Sequence, residues 1–80
     1  LFGFKLEVGT SEPELISVAY ESLKRNDADF VVANDLTQID GERHVAHIVD
    51  SEGKVRARCE TKGEIADELT KLIAAELGRL

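Results

Sequence analysis

Methionine is absent from all 80 residues, including position 1. We therefore expect the chain to begin inside a longer polypeptide, with a strand already under way at its first residues. The single cysteine, Cys59, excludes an internal disulfide and is typical of a reducing compartment, which predicts a cytoplasmic protein. No apolar run approaches the roughly 18 residues needed to cross a bilayer, and no secretory signal is recognisable, so no membrane partner is expected.

Positive charge is also scarce, since the formal net charge is −6. This balance argues against a surface for nucleic acid, which requires clustered Lys and Arg, although a local pair of cations could still hold a small anion. The sequence contains neither a glycine-rich phosphate loop nor a Ser/His/Asp or Cys/His set in a usable context. His44 and His47 are three residues apart, which places them on opposite faces of a strand, so we predict no metal site.

Hydrophobic periodicity predicts four strands and two helices within one domain that has no internal boundary across residues 1–80. The expected elements are a half-buried strand over 1–8, a helix from the Ser11 cap to Arg25, a buried strand over 30–33, strands over 44–49 and 54–60 joined as a hairpin, and a helix from the Thr61 cap to Leu77. The polar segment Asn34–Arg43 is predicted to be a loop. The order strand, helix, strand, hairpin, helix indicates an α/β fold, a Rossmann-like three-layer arrangement with the first two strands parallel.

Two polar groups could bind a ligand. Asn34 and Asp35 follow the buried strand at its carboxyl end, where open α/β sheets bind ligands, but the same residues are also common where a turn begins. Lys24 and Arg25 close the first helix and could hold a polyphosphate, or could simply stabilise the helix dipole. Phe4, next to Gly3, could offer an aromatic surface to a flat ligand, or could be a core residue.

Four segments in register resemble phosphopantothenoylcysteine synthetases. They are Gly3-Phe4-Lys5-Leu6-Glu7, which resembles a G-F-x-x-E strand, Leu23 to Asp29, which resembles a K-N-x-x-D turn, Phe30 to Asp35, which resembles a hydrophobic strand ending in A-N-D, and Lys62 to Ala66, which resembles a K-x-E-I-A helix start. No single motif is highly specific, but their order and spacing agree along the whole chain.

The resemblance implies a ligase of coenzyme A biosynthesis, of which this chain would be the C-terminal part and inactive alone. Such enzymes join 4′-phosphopantothenate to cysteine through an acyl-nucleotide formed from CTP or, often in eukaryotes, ATP, with Mg²⁺ neutralising phosphate charge. The implied partners are small-molecule substrates, a second copy in a homodimer, and the preceding part of the same protein. That part is expected to hold an N-P-D segment and a lysine-rich K-x-K-K flap.

Carried over residue by residue, the resemblance implies nucleotide contacts for Phe4 and Arg25 and a substrate contact for Asn34, next to Asp35. A second lysine of the family falls at Glu21 here, where a carboxylate would repel phosphate, so either Lys24 takes that role or the nucleotide sits differently. Two alternative hypotheses stay open: a non-catalytic acidic α/β interaction or regulatory module that resembles a doubly wound receiver domain, and a different nucleotide-binding enzyme that shares the sheet. Glu7 alone is a poor substitute for the acidic pocket that a receiver domain of this kind needs.

Overall fold

The computed structural model describes residues 2–41 and 43–78, in which one four-stranded sheet carries a helix on each face. The elements are β1 (Phe2–Glu7), α1 (Glu12–Asn26), β2 (Phe30–Asp40), β3 (Arg43–Asp50), β4 (Val55–Thr61) and α2 (Lys62–Leu77). The strands lie in the order β1-β2-β3-β4. The first predicted strand is confirmed over Phe2–Glu7, and its first residue, Leu1, lies outside the described residues.

The parallel pairing of β1 and β2 confirms the strand–helix–strand unit. Phe2 lies opposite Phe30, and the register continues to Glu7 opposite Asp35. The strand β3 then pairs antiparallel with β2, and β4 pairs antiparallel with β3, so the predicted hairpin extends the sheet. Gly53, at φ +81° in the β3–β4 turn, adopts a backbone conformation that few other residues tolerate.

The helix α1 begins and ends where its sequence predicts. The Ser11 hydroxyl accepts a hydrogen bond from the amide of Glu14 at 3.3 Å, which satisfies one of the unpaired donors of the first turn. At the other end Asp27 closes the helix in the left-handed conformation, at φ 53°. The buried side chains of α1 pack on one face of the sheet, against Val31, Ala33 and Val49; they are Leu15, Ala19 and Leu23.

The opposite face of the sheet is covered by α2. Its N-cap is Thr61, and the Glu64 carboxylate accepts from the amide of Glu60 at 3.1 Å, which confirms a capping interaction at this end. The apolar side of α2 presents Ile65, Leu69 and Leu72 to the second core cluster, whose buried members are Phe30, Val32, Ala46, Ile48 and Cys59. Helix, sheet and helix therefore form three layers, as predicted.

The prediction of a loop over Asn34–Arg43 was wrong for most of that segment. β2 continues to Asp40, with Ile39 opposite His44 and Asp40 opposite Arg43, after a register shift that begins at Asn34. Glu42 lies outside the described residues. This extension projects beyond the core and is largely exposed, so it lacks the apolar alternation by which a half-buried strand is recognised.

The expected burial of β1 is also only partly correct. Phe2 packs against Phe30, with ring centroids 5.1 Å apart, but Phe4 is 71% exposed and Leu6 is 55% exposed. The reason is that α2 packs on the same face but mainly over β4 and β3, the strands farthest from β1 in the sheet. Of the helices in the described residues, neither is long and apolar enough to span a bilayer.

We predict that Ile48→Ala lowers the free energy of unfolding by about 2–5 kcal/mol, because Ile48 is fully buried between α2 and the sheet and its loss leaves a cavity. Ile73→Ala is the matched control, since Ile73 on α2 is 45% exposed and its loss should cost roughly 1 kcal/mol or less. Denaturant unfolding of both variants measures the difference. Equal losses would contradict the assignment of the core to the α2 face.

Candidate functional site

The carboxyl ends of β1 and β2 and the loop that leads from β1 to α1 meet at one edge of the sheet. The strand β4 runs parallel to β2, because each intervening turn reverses the chain, so α2 begins at this edge too. Asn34 and Asp35 lie here side by side on β2, and their side chains point to opposite faces of the sheet because successive strand residues alternate. We call this region the carboxyl edge.

Asp35 connects three parts of the chain. Its Oδ1 accepts hydrogen bonds from the amide of Gly9 at 3.0 Å, the amide of Thr37 at 2.9 Å and the Thr37 hydroxyl at 2.7 Å. Its Oδ2 accepts from the amide of Thr10 at 2.9 Å and, more weakly, from the Thr10 hydroxyl at 3.4 Å. The side chain is buried, with 3% of the residue exposed. We call these contacts the Asp35 clamp.

The clamp holds Asp35 in its charged form. Its pKa is lowered from 3.8 to about 2, first by the hydroxyl of Thr37 and then by the amides of Thr37, Gly9 and Thr10, while burial acts in the opposite direction. These hydrogen bonds satisfy the acceptor positions of the carboxylate from within the chain. A direct ligand contact by Asp35 would have to replace one of them.

Asn34 also has an internal partner. Its Nδ2 donates to the carbonyl oxygen of Val45 at 2.9 Å, beside the point where the β2–β3 register shifts. The carboxamide thus replaces a ladder hydrogen bond that the irregularity removes, and this fixes which end of the amide points inward. Asn34 lies opposite Leu6 on β1, on the face that also carries the exposed ring of Phe4.

Lys24 and Arg25 lie at the other edge of the sheet. The helix α1 starts at the carboxyl edge and ends near the start of β2, so its last turn is at the amino ends of the parallel strands. Lys24 Nζ is 3.2 Å from Glu21 Oε1 and 4.7 Å from the centroid of the Tyr20 ring. Arg25 is exposed. The structure therefore brings Phe4 and Asn34 together on one face and separates both from the two cations.

The structure also buries a histidine that the sequence analysis considered only as a metal ligand. His47 on β3 is 2% exposed, and its Nε2 lies 3.2 Å from Glu12 Oε1 in the first turn of α1. Neither ring nitrogen makes a hydrogen bond of good geometry within the described residues. A polar residue in the middle of an otherwise apolar strand was the available signal. His47 lies below the start of α1, beside the Asp35 clamp.

The described residues contain no group of three or more His, Cys, Asp or Glu side chains arranged to hold a metal ion.

Comparison with known proteins identifies the family. The sequence model of the DNA/pantothenate metabolism flavoprotein C-terminal domain matches residues 1–77. The chain belongs to this family. The predicted resemblance, drawn from motifs spread between Gly3 and Ala66, is therefore confirmed.

Two individual relatives agree with this assignment. The chain is 39% identical over 69 residues to the coenzyme A biosynthesis bifunctional protein CoaBC of Thermococcus kodakarensis, a match that covers 86% of this chain and 17% of that protein. It also superimposes on the crystal structure of the DNA/pantothenate metabolism flavoprotein from Streptococcus pneumoniae with a TM-score of 0.89 and 43% identity. That match covers 94% of this chain and 33% of the other. The chain thus spans a minor part of both relatives.

The A-N-D motif of the family predicts ligand contacts for Asn34 and Asp35, whereas the structure shows that both side chains make hydrogen bonds within the chain. The A-N-D segment supplies two internal braces, Asn34 on Val45 and Asp35 on the β1–α1 loop. The partners of Asp35 include Gly9 and Thr10, which lie about 25 residues earlier in the chain and which sequence reasoning missed. The contact with Thr37 could have been predicted, because an Asp side chain commonly accepts from the backbone amide two residues later. The ligand contacts expected of Phe4, Lys24, Arg25, Asn34 and Asp35 stay predictions.

We predict that the Asp35 clamp makes stability depend on acid pH. Because the folded pKa of about 2 lies below the ordinary 3.8, the stabilisation is complete above about pH 4 and is lost as the pH falls toward 2. Asp35→Asn should therefore flatten the curve of unfolding free energy against pH in this window. The control is Glu60→Gln, since the pKa of Glu60 is lowered by the exposed Arg58 and its effect on the slope should be smaller. An unchanged slope in Asp35→Asn would show that the clamp is absent.

Proposed function

We propose that the protein containing this chain is a phosphopantothenate–cysteine ligase of coenzyme A biosynthesis, using CTP in preference to ATP and acting in the cytoplasm. The observation that carries the proposal is the family match over residues 1–77. It is supported by the similarity to a protein named for coenzyme A biosynthesis. The activity belongs to the whole protein, because this chain covers only 17% of that relative.

The proposed reaction has two steps. The carboxylate of 4′-phosphopantothenate attacks the α-phosphate of the nucleotide, which releases pyrophosphate and forms an acyl-nucleotide. The amine of cysteine then attacks the activated carbonyl and displaces the nucleoside monophosphate. The protein's task in both steps is to align the reacting groups and to balance the phosphate charge. Mg²⁺ is proposed to arrive bound to the triphosphate.

The face that carries Phe4 and Asn34 is the part of this chain that we assign to the substrates. The Phe4 ring is exposed and can stack on a nucleobase. The Asn34 amide is already braced on Val45, so a substrate would meet a group whose orientation is fixed. Arg25, on α1, lies near the opposite edge. A nucleotide that contacts both Phe4 and Arg25 must pass around the edge of the sheet, or the two contacts belong to different copies of the protein.

The free side of the edge strand β1, which is distinct from the carboxyl edge, favours association with further parts of the protein or with another copy. Within the described residues β1 pairs only with β2, so its other edge leaves backbone groups unpaired beside the exposed side chains of Phe4 and Leu6. Open apolar edges of this kind promote pairing with further strands. We propose that other parts of the same protein cover this edge, and that the protein acts as a homodimer.

The direct test of the proposed function is ligation by the full-length protein. Pyrophosphate release should require a nucleoside triphosphate, phosphopantothenate and Mg²⁺ together, and formation of the amide product should further require cysteine. Replacing CTP with ATP should lower kcat/KM. A purified, folded protein that releases no pyrophosphate with either nucleotide would contradict the proposal.

We predict that Arg25→Ala in the full-length enzyme lowers kcat/KM for the nucleotide at least about tenfold, or about 1.4 kcal/mol, if its guanidinium contacts phosphate. Lys54→Ala is the matched control, because Lys54 is another exposed cation near the amino ends of the parallel strands and is 3.4 Å from Glu52. The converse variant, Glu21→Lys, should leave nucleotide affinity equal or better. Equal kinetics for Arg25→Ala and Lys54→Ala would show that Arg25 only stabilises the dipole of α1 and does not contact the nucleotide.

A further inference from the structure

The β1–α1 loop occupies the position at which many α/β proteins bind a phosphate. It follows the first parallel strand and leads into a helix, and it contains Gly9 at φ +67°. In such proteins the free backbone amides of the loop and the positive end of the helix hold the anion. The question for this chain is whether those amides are available.

Three of these amides already have partners within the chain. The amides of Gly9 and Thr10 both donate to Asp35, and the amide of Glu14 donates to the Ser11 hydroxyl. Pro13, in the first turn of α1, has no amide hydrogen to offer.

The charges at this end of α1 also oppose an anion. The first turn contributes the carboxylates of Glu12 and Glu14 in addition to the buried charge of Asp35. These three carboxylates repel a further negative charge, so phosphate is disfavoured here by electrostatics as well as by hydrogen bonding. His47, whose Nε2 faces Glu12, is beneath the helix and buried.

We propose that Asp35 is a positioning residue whose carboxylate takes the place of a bound anion, so that the β1–α1 loop forms a fixed wall of the substrate site and holds no phosphate. The clamp joins this loop to the carboxyl end of β2, beside Asn34. Opening it displaces the wall and misaligns the reacting groups, for which small displacements have large kinetic effects. The kinetic part of this inference rests on the proposed ligase function.

The chain contains a matched control for the clamp. Asp50, at the opposite edge of the sheet, is also buried, and its Oδ1 accepts from the amides of Glu52 and Lys54, both at 2.9 Å. Asp50 braces the β3–β4 turn in the same way that Asp35 braces the β1–α1 loop. Both are buried carboxylates that accept from backbone amides of a neighbouring turn or loop, but Asp50 also lies 3.7 Å from Arg56 and only Asp35 lies at the carboxyl edge.

The experiment compares Asp35→Asn and Asp50→Asn in the full-length protein, at a temperature where both variants are fully folded. Hydrogen exchange should accelerate at residues 8–11 in Asp35→Asn and at 51–54 in Asp50→Asn. The kcat/KM for ligation should fall at least tenfold in Asp35→Asn and stay within twofold of the unmodified value in Asp50→Asn. Thr37→Val removes the 2.7 Å hydroxyl contact alone and should give a smaller loss in the same direction, which keeps the test available where Asp35→Asn does not fold.

Several results would overturn the proposal. They are unchanged exchange at residues 8–11 in Asp35→Asn, equal kinetic losses in Asp35→Asn and Asp50→Asn, and tighter binding of inorganic phosphate by the unmodified protein than by Asp35→Asn. Failure of the unmodified protein to ligate contradicts the proposed function alone. In that case the positioning role of Asp35 is tested by calorimetric measurement of CTP binding. Asp35→Asn should weaken this binding and Asp50→Asn should not. An unmodified protein that binds no CTP would overturn both the proposed function and the positioning role.

Discussion

The Asp35 carboxylate joins the β1–α1 loop to β2 just beyond the last pair of the β1–β2 ladder, Glu7 opposite Asp35. Through Gly9 and Thr10 it attaches the exit of β1 to β2, and through Thr37 it fixes the first residues of the β2 extension. The loop it holds determines where α1 begins, and α1 covers one face of the sheet with Leu15, Ala19 and Leu23. The geometry of the carboxyl edge therefore depends on one buried charge whose hydrogen-bonding capacity is met entirely within the chain.

The two faces of the sheet are unequally covered, and this inequality determines which surface is free for other molecules. On the α1 face, the clamp and the acidic first turn close the carboxyl edge to anions. On the α2 face, the helix lies over β3 and β4 and leaves Phe4 and Leu6 exposed. An exposed aromatic ring beside a braced Asn34 is suited to a flat, polar ligand, and we propose that it contacts one. The chain spans 17% of one relative and 33% of the other, and we propose that further parts of the protein complete this face.

Most of the fold could be predicted from the sequence because its signals are local. Ser11 and Thr61 mark helix starts through caps that act within three residues, and the apolar run that begins at Phe30 predicts a strand covered on both sides. The extension of β2 to Asp40 escaped prediction because a strand that projects beyond the core has no apolar side. The exposure of Phe4 escaped it because burial depends on where a distant helix docks. At the site, the position of Asn34 and Asp35 at a carboxyl edge was predictable, but their partners were not, since Thr10 and Val45 meet them only after folding. The family motifs added what periodicity could not, which was a function for the whole.

The measurement that tests this account most directly is a crystal structure of the full-length protein with CTP and 4′-phosphopantothenate bound. We expect that the amides of Gly9 and Thr10 still donate to Asp35, that no ligand phosphate lies within hydrogen-bonding distance of either, and that a ligand contacts the exposed face of Phe4 beside Asn34. A phosphate group bound to the Gly9 and Thr10 amides, with the Asp35 carboxylate turned away, would contradict it.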